Sequence, residues 1–327
     1  MIDFFRKLNP ISLLILVGIA FFLRIGILLQ LPQEINFTFL ENYGGALISI
    51  SSSSSLFSPG ANLFFAMVVS LCQAVIFNRM INNYNLLGKP SFLPALMYVT
   101  LSSMLMPFMV LSPALLCNFL MLWLISKFFN IYRSEEARSV MFDSGMIIGI
   151  GTLIYFPFIA MVPLLWVALI IFRPFDWREW VAGIVGVGTI YFFLAVAYFL
   201  SGSFEQFANL KVPLAAAFPR FLNIKLYDYI VLSPVVVILA LGVITLQQRL
   251  NRSSVHVRKA YLVLFILAIF SILSFYIKTE YHVYHFLLAV APVSVFMAHY
   301  FMHASKRWFY EGLYVLLLGF IIYFQFI

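Results

Sequence analysis

The sequence predicts an all-α integral membrane protein, and three observations carry that prediction. Aliphatic, aromatic and sulphur-bearing residues fill 64% of the 327 positions and charged residues 10%, against about 45–50% and about 25% in soluble domains. The apolar residues come in runs of about 20, the length that crosses a bilayer as a helix. Lys and Arg gather at alternate ends of these runs, as expected where basic loops stay on the cytoplasmic side.

At about 20 residues per span, and about 17 at the short end, the chain divides into eleven predicted transmembrane helices. They cover approximately 11–31, 61–81, 92–109, 111–127, 140–157, 158–172, 179–200, 229–247, 260–277, 282–301 and 309–327. The pairs within 92–127 and 140–172 are the least regular. Pro107 and Pro113 interrupt the first, and Pro157 and Pro163 the second, because proline removes a backbone donor and clashes with the preceding turn. Each pair reads as a hairpin of two short helices or as one longer kinked element.

With a cytoplasmic N-terminus, fifteen of the twenty Lys and Arg residues lie inside. Lys211, Arg220, Lys225 and Lys278 lie outside, and Arg24 falls within a span. Merging either irregular pair would scramble this alternation, so the charge count supports both the orientation and the helix number. No polar segment is long enough for a separate soluble domain, so residues 1–327 are expected to form a single polytopic membrane domain. Met1–Pro10, with Arg6 and Lys7, resembles the start of a signal peptide. No small-residue cleavage site follows Leu31, and the first helix is read as retained. The expected location is the inner (plasma) membrane.

The formal charge of +8 sits in short inter-helix loops, where membrane topology accounts for it and no nucleic-acid partner is implied. Cys72 and Cys117 both fall within predicted helices and make neither a disulfide framework nor a zinc spacing. No P-loop, nucleophile elbow or dinucleotide fingerprint occurs. The 37 Phe and 17 Tyr residues suit lipid-facing and interfacial positions.

Chemistry is therefore expected in the outward loops, approximately 32–60 and 201–228, and in the short turn at 278–282. The first loop holds Glu34, Glu41 and a serine run, and from Lys7 to Arg79 the only basic residue is Arg24. If this loop forms an interfacial helix, a spacing of seven puts Glu34 and Glu41 on one face. A carboxylate there can act as general base for a sugar hydroxyl or ligate a divalent cation; the plainer reading is a solvated loop acid. Glu41, followed by Asn42, Tyr43 and Gly44-Gly45, is the better candidate. The cofactor stays open, a divalent metal ion being the candidate, and no metal ligands are assigned.

Arg24 lies about two thirds of the way along the first span, where an arginine is costly unless it is paired or snorkels. Lys211 and Arg220 are outward cations able to hold a lipid phosphate, or simply loop charges balanced by Glu205 and Asp228. Lys278, Glu280, His282 and His285 cluster at the outer end of the tenth span. They could polarise a phosphate or bind a metal, or serve as hydrogen-bonded structural residues. His299 and His303 stand at the other end of that helix, about 25 Å away, without the acid of a zincin motif. Asp143 and Glu179 flank inward helix ends as candidate caps or dipole partners.

Four stretches resemble the C superfamily of glycosyltransferases, polytopic enzymes that use polyprenyl-phosphate sugars. The first is Phe22-Leu23-Arg24-Ile25-Gly26 leading into a large acidic outward loop. The second is Phe77-Asn78-Arg79 through Lys89-Pro90 and Leu93-Pro94-Ala95-Leu96. The third is the pair of short spans from Pro94 to Phe172, closing on Arg173-Pro174. The fourth is Lys278-Thr279-Glu280-Tyr281-His282-Val283-Tyr284-His285-Phe286-Leu287-Leu288 followed by Ala291-Pro292.

The resemblance implies sugar transfer at the outer face, with Glu41 or Glu34 matching the first-loop catalytic acid. Lys278 and His285 would match the late outer-face group near the lipid phosphate, with Arg24, Lys211 and Arg220 as further phosphate ligands. It implies membrane lipid and a polyprenyl-phosphate sugar as partners. The chain departs from the family in having no Asp between Asp3 and Asp143. A non-catalytic relative, acting as a subunit or scaffold with protein partners in an envelope complex, is therefore the alternative. A transporter is the third reading, favoured by Arg24 and weakened by the scarcity of charge in the other spans.

Overall fold

The computed structural model describes residues 1–31, 40, 58–132, 136–209, 213–215, 226–250, 253–278 and 282–326. Regular structure among the described residues is helical throughout, with no strand. The main helices are α1 (Ile11–Phe22), α2 (Ile25–Leu29), α3 (Pro59–Asn83), α4 (Leu93–Ser102), α5 (Pro113–Ile131) and α6 (Ala137–Ile154). They continue as α7 (Val162–Phe172), α8 (Trp177–Leu200), α9 (Leu226–Leu250), α10 (Val255–Leu273), α11 (Val290–His303) and α12 (Arg307–Tyr323). Each of the eleven predicted spans contains helix. Among the described residues, seven stretches are long and apolar enough to cross a membrane: α3, α5, α6, α8, Leu232–Leu250, Val255–Ile277 and Val283–His303.

Their starts follow from local chemistry. Ser58 and Ser112 each precede a proline at the first helical position, where its missing N–H is no loss. Their hydroxyls accept from Ala61 N at 3.3 Å and Leu115 N at 3.2 Å, satisfying amide groups that the helix leaves without partners. Ser254 caps α10 and Asp176 caps α8 in the same way. The turn from α3 to α4 needs left-handed backbone, supplied by Asn85 (φ 49°) and Gly88 (φ 77°).

The other predicted spans are shorter. At 1.5 Å per residue, the ten residues of α4 rise about 15 Å, half of a hydrocarbon core of about 30 Å. The first span breaks at Leu23 and Arg24, which separate α1 from α2. After α4 the chain turns through a 3₁₀ segment, Met106–Phe108, before α5 starts. After α6 it extends at Tyr155 (φ −143°, ψ 105°) and enters a 3₁₀ segment, Phe156–Met161, that runs into α7. Both proline-interrupted pairs are thus two separate helices.

The centre is α4 packed on α11. All ten residues of α4 are buried, as are eleven of the fourteen in α11. Around them pack α3 on α4, α5 on α6, and α9 on α11. In contrast, α8 is only 11% buried and joins the bundle along a glycine seam with α6. A Cβ on Gly145 would lie 2.0 Å from the Gly183 carbonyl oxygen, and one on Gly186 would lie 2.1 Å from that of Phe142. Small residues permit this approach, and in lipid such close packing is one of the forces that hold helices together.

The N-terminal segment closes one end of the bundle. Arg6 donates to the carbonyls of Phe301 at 2.8 Å and Ala304 at 2.6 Å, satisfying the end of α11, and stacks over Tyr310 at 4.3 Å. Asp3 accepts from Tyr310 Oη at 2.6 Å and pairs with Arg6 and Arg307.

Candidate functional site

Arg24 is the most unusual residue of the described chain. It sits at the break between α1 and α2, is 1% exposed, and has no carboxylate partner among the described residues. One guanidinium nitrogen donates to the Ala20 carbonyl at 3.2 Å and another to Ser70 Oγ at 2.9 Å, while Nε has no partner among the described residues. Ser70 in turn donates to the Met67 carbonyl at 2.9 Å. Snorkelling to headgroups is therefore not what Arg24 does; its charge is held inside the protein on neutral oxygens.

The break itself is clasped from the far end of the chain. Gln325 donates through Nε2 to the Leu23 carbonyl and accepts at Oε1 from Gly26 N at 3.2 Å. Gly26 is needed here, since a Cβ would lie 2.6 Å from Gln325 Cβ. The carbonyl freed by the break is thus satisfied by a side chain, as buried backbone must be.

Deeper in the bundle, Gln73 donates to the Leu115 carbonyl at 2.7 Å and accepts from Tyr98 Oη at 2.9 Å. Asn118 donates to the Leu287 carbonyl at 3.0 Å. These side chains tie α3, α4 and α5 to the 3₁₀ segment Val283–Ala289 that precedes α11.

That segment carries His285, which is 1% exposed. Its Nδ1 lies 2.7 Å from Tyr155 Oη; its Nε2 lies 2.8 Å from Ser274 Oγ and 3.1 Å from the Ser271 carbonyl. A carbonyl only accepts, so Nε2 carries the proton and Nδ1 accepts from Tyr155. Ser274 donates to the Ser271 carbonyl at 2.9 Å, leaving its lone pairs for His285. The resulting relay runs from Tyr155 through His285 to Ser274, opposite in sense to a histidine that draws a proton from serine.

The predicted site residues fall into three groups. Arg24 and His285 are buried in separate networks that share no hydrogen-bond partner. Lys278 is also buried, just past the 3₁₀ segment Ser274–Ile277 that holds Ser274. Glu34, Glu41, Lys211 and Arg220 lie outside the described residues, as does Glu280. His282 does not join His285: it is exposed and stacks on Tyr284 with ring centroids 4.9 Å apart. Among the described residues no group of three His, Cys, Asp or Glu could hold a metal. Asp143 pairs with Lys127 at 2.6 Å instead of capping α6, and Glu179, in the first turn of α8, pairs with Arg173 at 3.5 Å.

Ser70, Gln73, Tyr98, Asn118, Tyr155, Ser274 and Gln325 escaped the sequence reading, which weighed charges and histidines in the spans but not neutral polar groups. The available signal was the presence of Gln and Asn inside apolar runs, where an unsatisfied amide is costly.

No curated protein and no solved structure matches the chain. Residues 27–327, from Ile27 of α2 to the C-terminal residue, match DUF6427, a family of unknown function. With that match spanning nearly all the helices described above, the chain belongs to the DUF6427 family.

Proposed function

We propose that this protein is a membrane glycosyltransferase of the C type that uses a polyprenyl-phosphate-linked sugar at the outer face of the inner membrane. In this reading eleven helices cross or enter the bilayer and the N-terminus is cytoplasmic. The observation that carries the proposal is Arg24, a buried guanidinium without a carboxylate partner among the described residues. Holding a cation in apolar surroundings costs several kcal/mol, of the order of 3 for insertion at a helix centre. An anionic ligand offsets that cost, and a lipid phosphate is the anion that a membrane supplies.

The reaction follows from these roles. An acceptor hydroxyl attacks the anomeric carbon, a new carbon–oxygen bond forms, and the bond to the phosphate oxygen breaks. Glu41 or Glu34 takes the hydroxyl proton. Arg24, with Lys278, Lys211 and Arg220, meets the charge that grows on the departing phosphate. A divalent cation, if used, depends on the same two glutamates, and no step is assigned to it. His285, with both ring nitrogens engaged, acts as a positioning residue.

The same engagement of His285 favours a second reading, a non-catalytic subunit that keeps the fold and lends its outer loops to an envelope complex. Membranes carrying the wild type, Glu34→Gln/Glu41→Gln or Arg24→Gln are supplied with a labelled polyprenyl-phosphate sugar. Under the enzyme reading, transfer is lost in both variants while the proteins still purify as folded species. Full transfer by the glutamate double variant would sink it. A subunit instead co-purifies stoichiometrically with its partners and tolerates these changes.

A further inference from the structure

We propose that a groove between the N-terminal segment and the start of α12 binds one anionic phospholipid of the leaflet at that end of the bundle. Its phosphate rests on Arg307 and an acyl chain runs along Gly312 and Val315. The groove has a volume of about 680 Å³ and is lined by Met1, Arg307, Trp308, Glu311, Gly312 and Val315. Five of these six belong to α12 and follow one side of it. The opposite side, with Tyr310, Tyr314, Leu317 and Ile321, is buried in the bundle, so the groove faces outward. From Arg307 to Val315 the helix rises about 12 Å.

The two ends of the groove differ in chemistry. At one, the Arg307 side chain is 75% exposed and Asp3 engages its Nε at 3.3 Å. Its two terminal nitrogens make no hydrogen bond among the described residues, and such a fork fits two phosphate oxygens. Asp3 does not cancel the charge, since Arg6 and Tyr310 share it. Glu311 accepts from the Met1 amine through both carboxylate oxygens, at 2.8 and 3.0 Å. Lys7 and Lys306 are exposed beside these residues in sequence. Four basic side chains, Arg6, Lys7, Lys306 and Arg307, thus stand against two acids, Asp3 and Glu311. That balance favours an anionic headgroup over a zwitterionic one.

Toward the other end the lining is apolar. Trp308 is 89% exposed and Val315 60%, and a Cβ on Gly312 would meet nothing within 4 Å. An aromatic ring of this size covers about 150–250 Å² when buried, and here nearly all of it is bare. Indoles collect at the bilayer interface, where the ring meets apolar chains and the N–H meets headgroups. With no side chain at Gly312, an acyl chain can lie against the α12 backbone beside the Trp308 ring. A charged fork followed by a bare apolar channel matches the order of groups along a phospholipid.

The test uses the full chain in nanodiscs of equal parts phosphatidylcholine and phosphatidylglycerol, with retained lipid and oligomeric state read by native mass spectrometry. The wild type is expected to keep one phosphatidylglycerol per chain in preference to phosphatidylcholine. Arg307→Gln should lower that preference about fivefold, the effect of one cation near a membrane surface. Gly312→Leu, which fills the groove, should abolish it. Gly319→Leu is the matched control, since Gly319 also meets nothing within 4 Å but lies outside the groove. Its preference should equal that of the wild type, as should that of Arg258→Gln, an exposed cation of α10. Leucine suits an open helical position, so both glycine variants keep the fold. No preference in the wild type, an unchanged one in Arg307→Gln, equal retention by the two glycine variants, or an equal loss in Arg258→Gln overturns the proposal. A dimer that Gly312→Leu dissociates, in place of bound lipid, assigns the groove to a second copy of the chain and overturns it too.

Discussion

Gly145→Ala tests the seam that fixes α6, and through it the Tyr155 that orients His285. The added Cβ would lie 2.0 Å from the Gly183 carbonyl oxygen and 3.0 Å from Val187 N. Both are helix backbone, so only separation of α6 from α8 relieves the clash. An ordinary carbon–oxygen contact near 3.3 Å requires the helices to part by roughly 1.3 Å. A gap of about 0.5–1 Å already forfeits a quarter to a half of the dispersion energy across a contact, and dispersion is what holds helices together in lipid. The expected loss is about 1–3 kcal/mol.

Gly188→Ala, on the same α8, meets nothing within 4 Å and is expected to gain up to about 1 kcal/mol of helix propensity. The two alanines should therefore differ by roughly 1–4 kcal/mol. Cys117 reports the difference, since it is buried with Sγ 3.6 Å from the Gly151 carbonyl of α6. In a Cys72→Ser background, which removes the exposed thiol, a thiol-reactive fluorophore reads the temperature at which Cys117 becomes accessible. Equal midpoints for the two alanines would show that the seam is not a close contact and that the position of α6 is set elsewhere.

Arg24→Met gives up two charge-assisted hydrogen bonds, about 3–6 kcal/mol together, and recovers an insertion penalty of about 3 kcal/mol. Its unfolding free energy should therefore fall by no more than about 3 kcal/mol, and chemical denaturation in detergent showing a much larger fall would make Arg24 chiefly structural. Tyr155→Phe removes the donor to His285 Nδ1 and should cost about 1–3 kcal/mol. In the wild type, ¹⁵N spectra of labelled histidine should show His285 protonated on Nε2, and an Nδ1-protonated ring would overturn the assigned relay.

The N-terminal clasp should be acid-sensitive. The hydrogen bond from Tyr310, helped by Arg6 and Arg307, holds the Asp3 carboxyl below its usual range. A depressed carboxylate contributes stability above the unfolded value of about 3.9 and loses it as pH falls through the folded value. Hydrogen-exchange protection over Phe4–Arg6 should accordingly drop only below about pH 4, and Asp3→Asn should have lost it already at neutral pH.

Much of the architecture was legible because lipid imposes simple rules. Every predicted span contains helix, and α3 and α5 start at Pro59 and Pro113, two residues from the expected 61 and 111. The prolines at 107 and 157 announced breaks, but whether each pair was one kinked helix or two depended on backbone turns at Ser103 and Tyr155 that neighbouring helices stabilise. Gly145 and Gly183 were visible as glycines; that their helices meet there was not, since a seam belongs to two segments distant in sequence.

By itself, then, the sequence determined membrane residence, helical class and the approximate place of each helix, because the cost of exposing apolar or backbone groups to the wrong solvent is local and additive. The tertiary structure decided which polar residues meet. Nothing in the first span shows that Arg24 rests on Ser70, or that Gln325, some 300 positions away, closes the break beside it. Nor does the spacing of His282 and His285 reveal that one faces outward while the other lies buried between Tyr155 and Ser274. Those partnerships arise from packing between distant helices, where satisfying a buried donor or acceptor is a condition on the whole bundle and not on any one stretch.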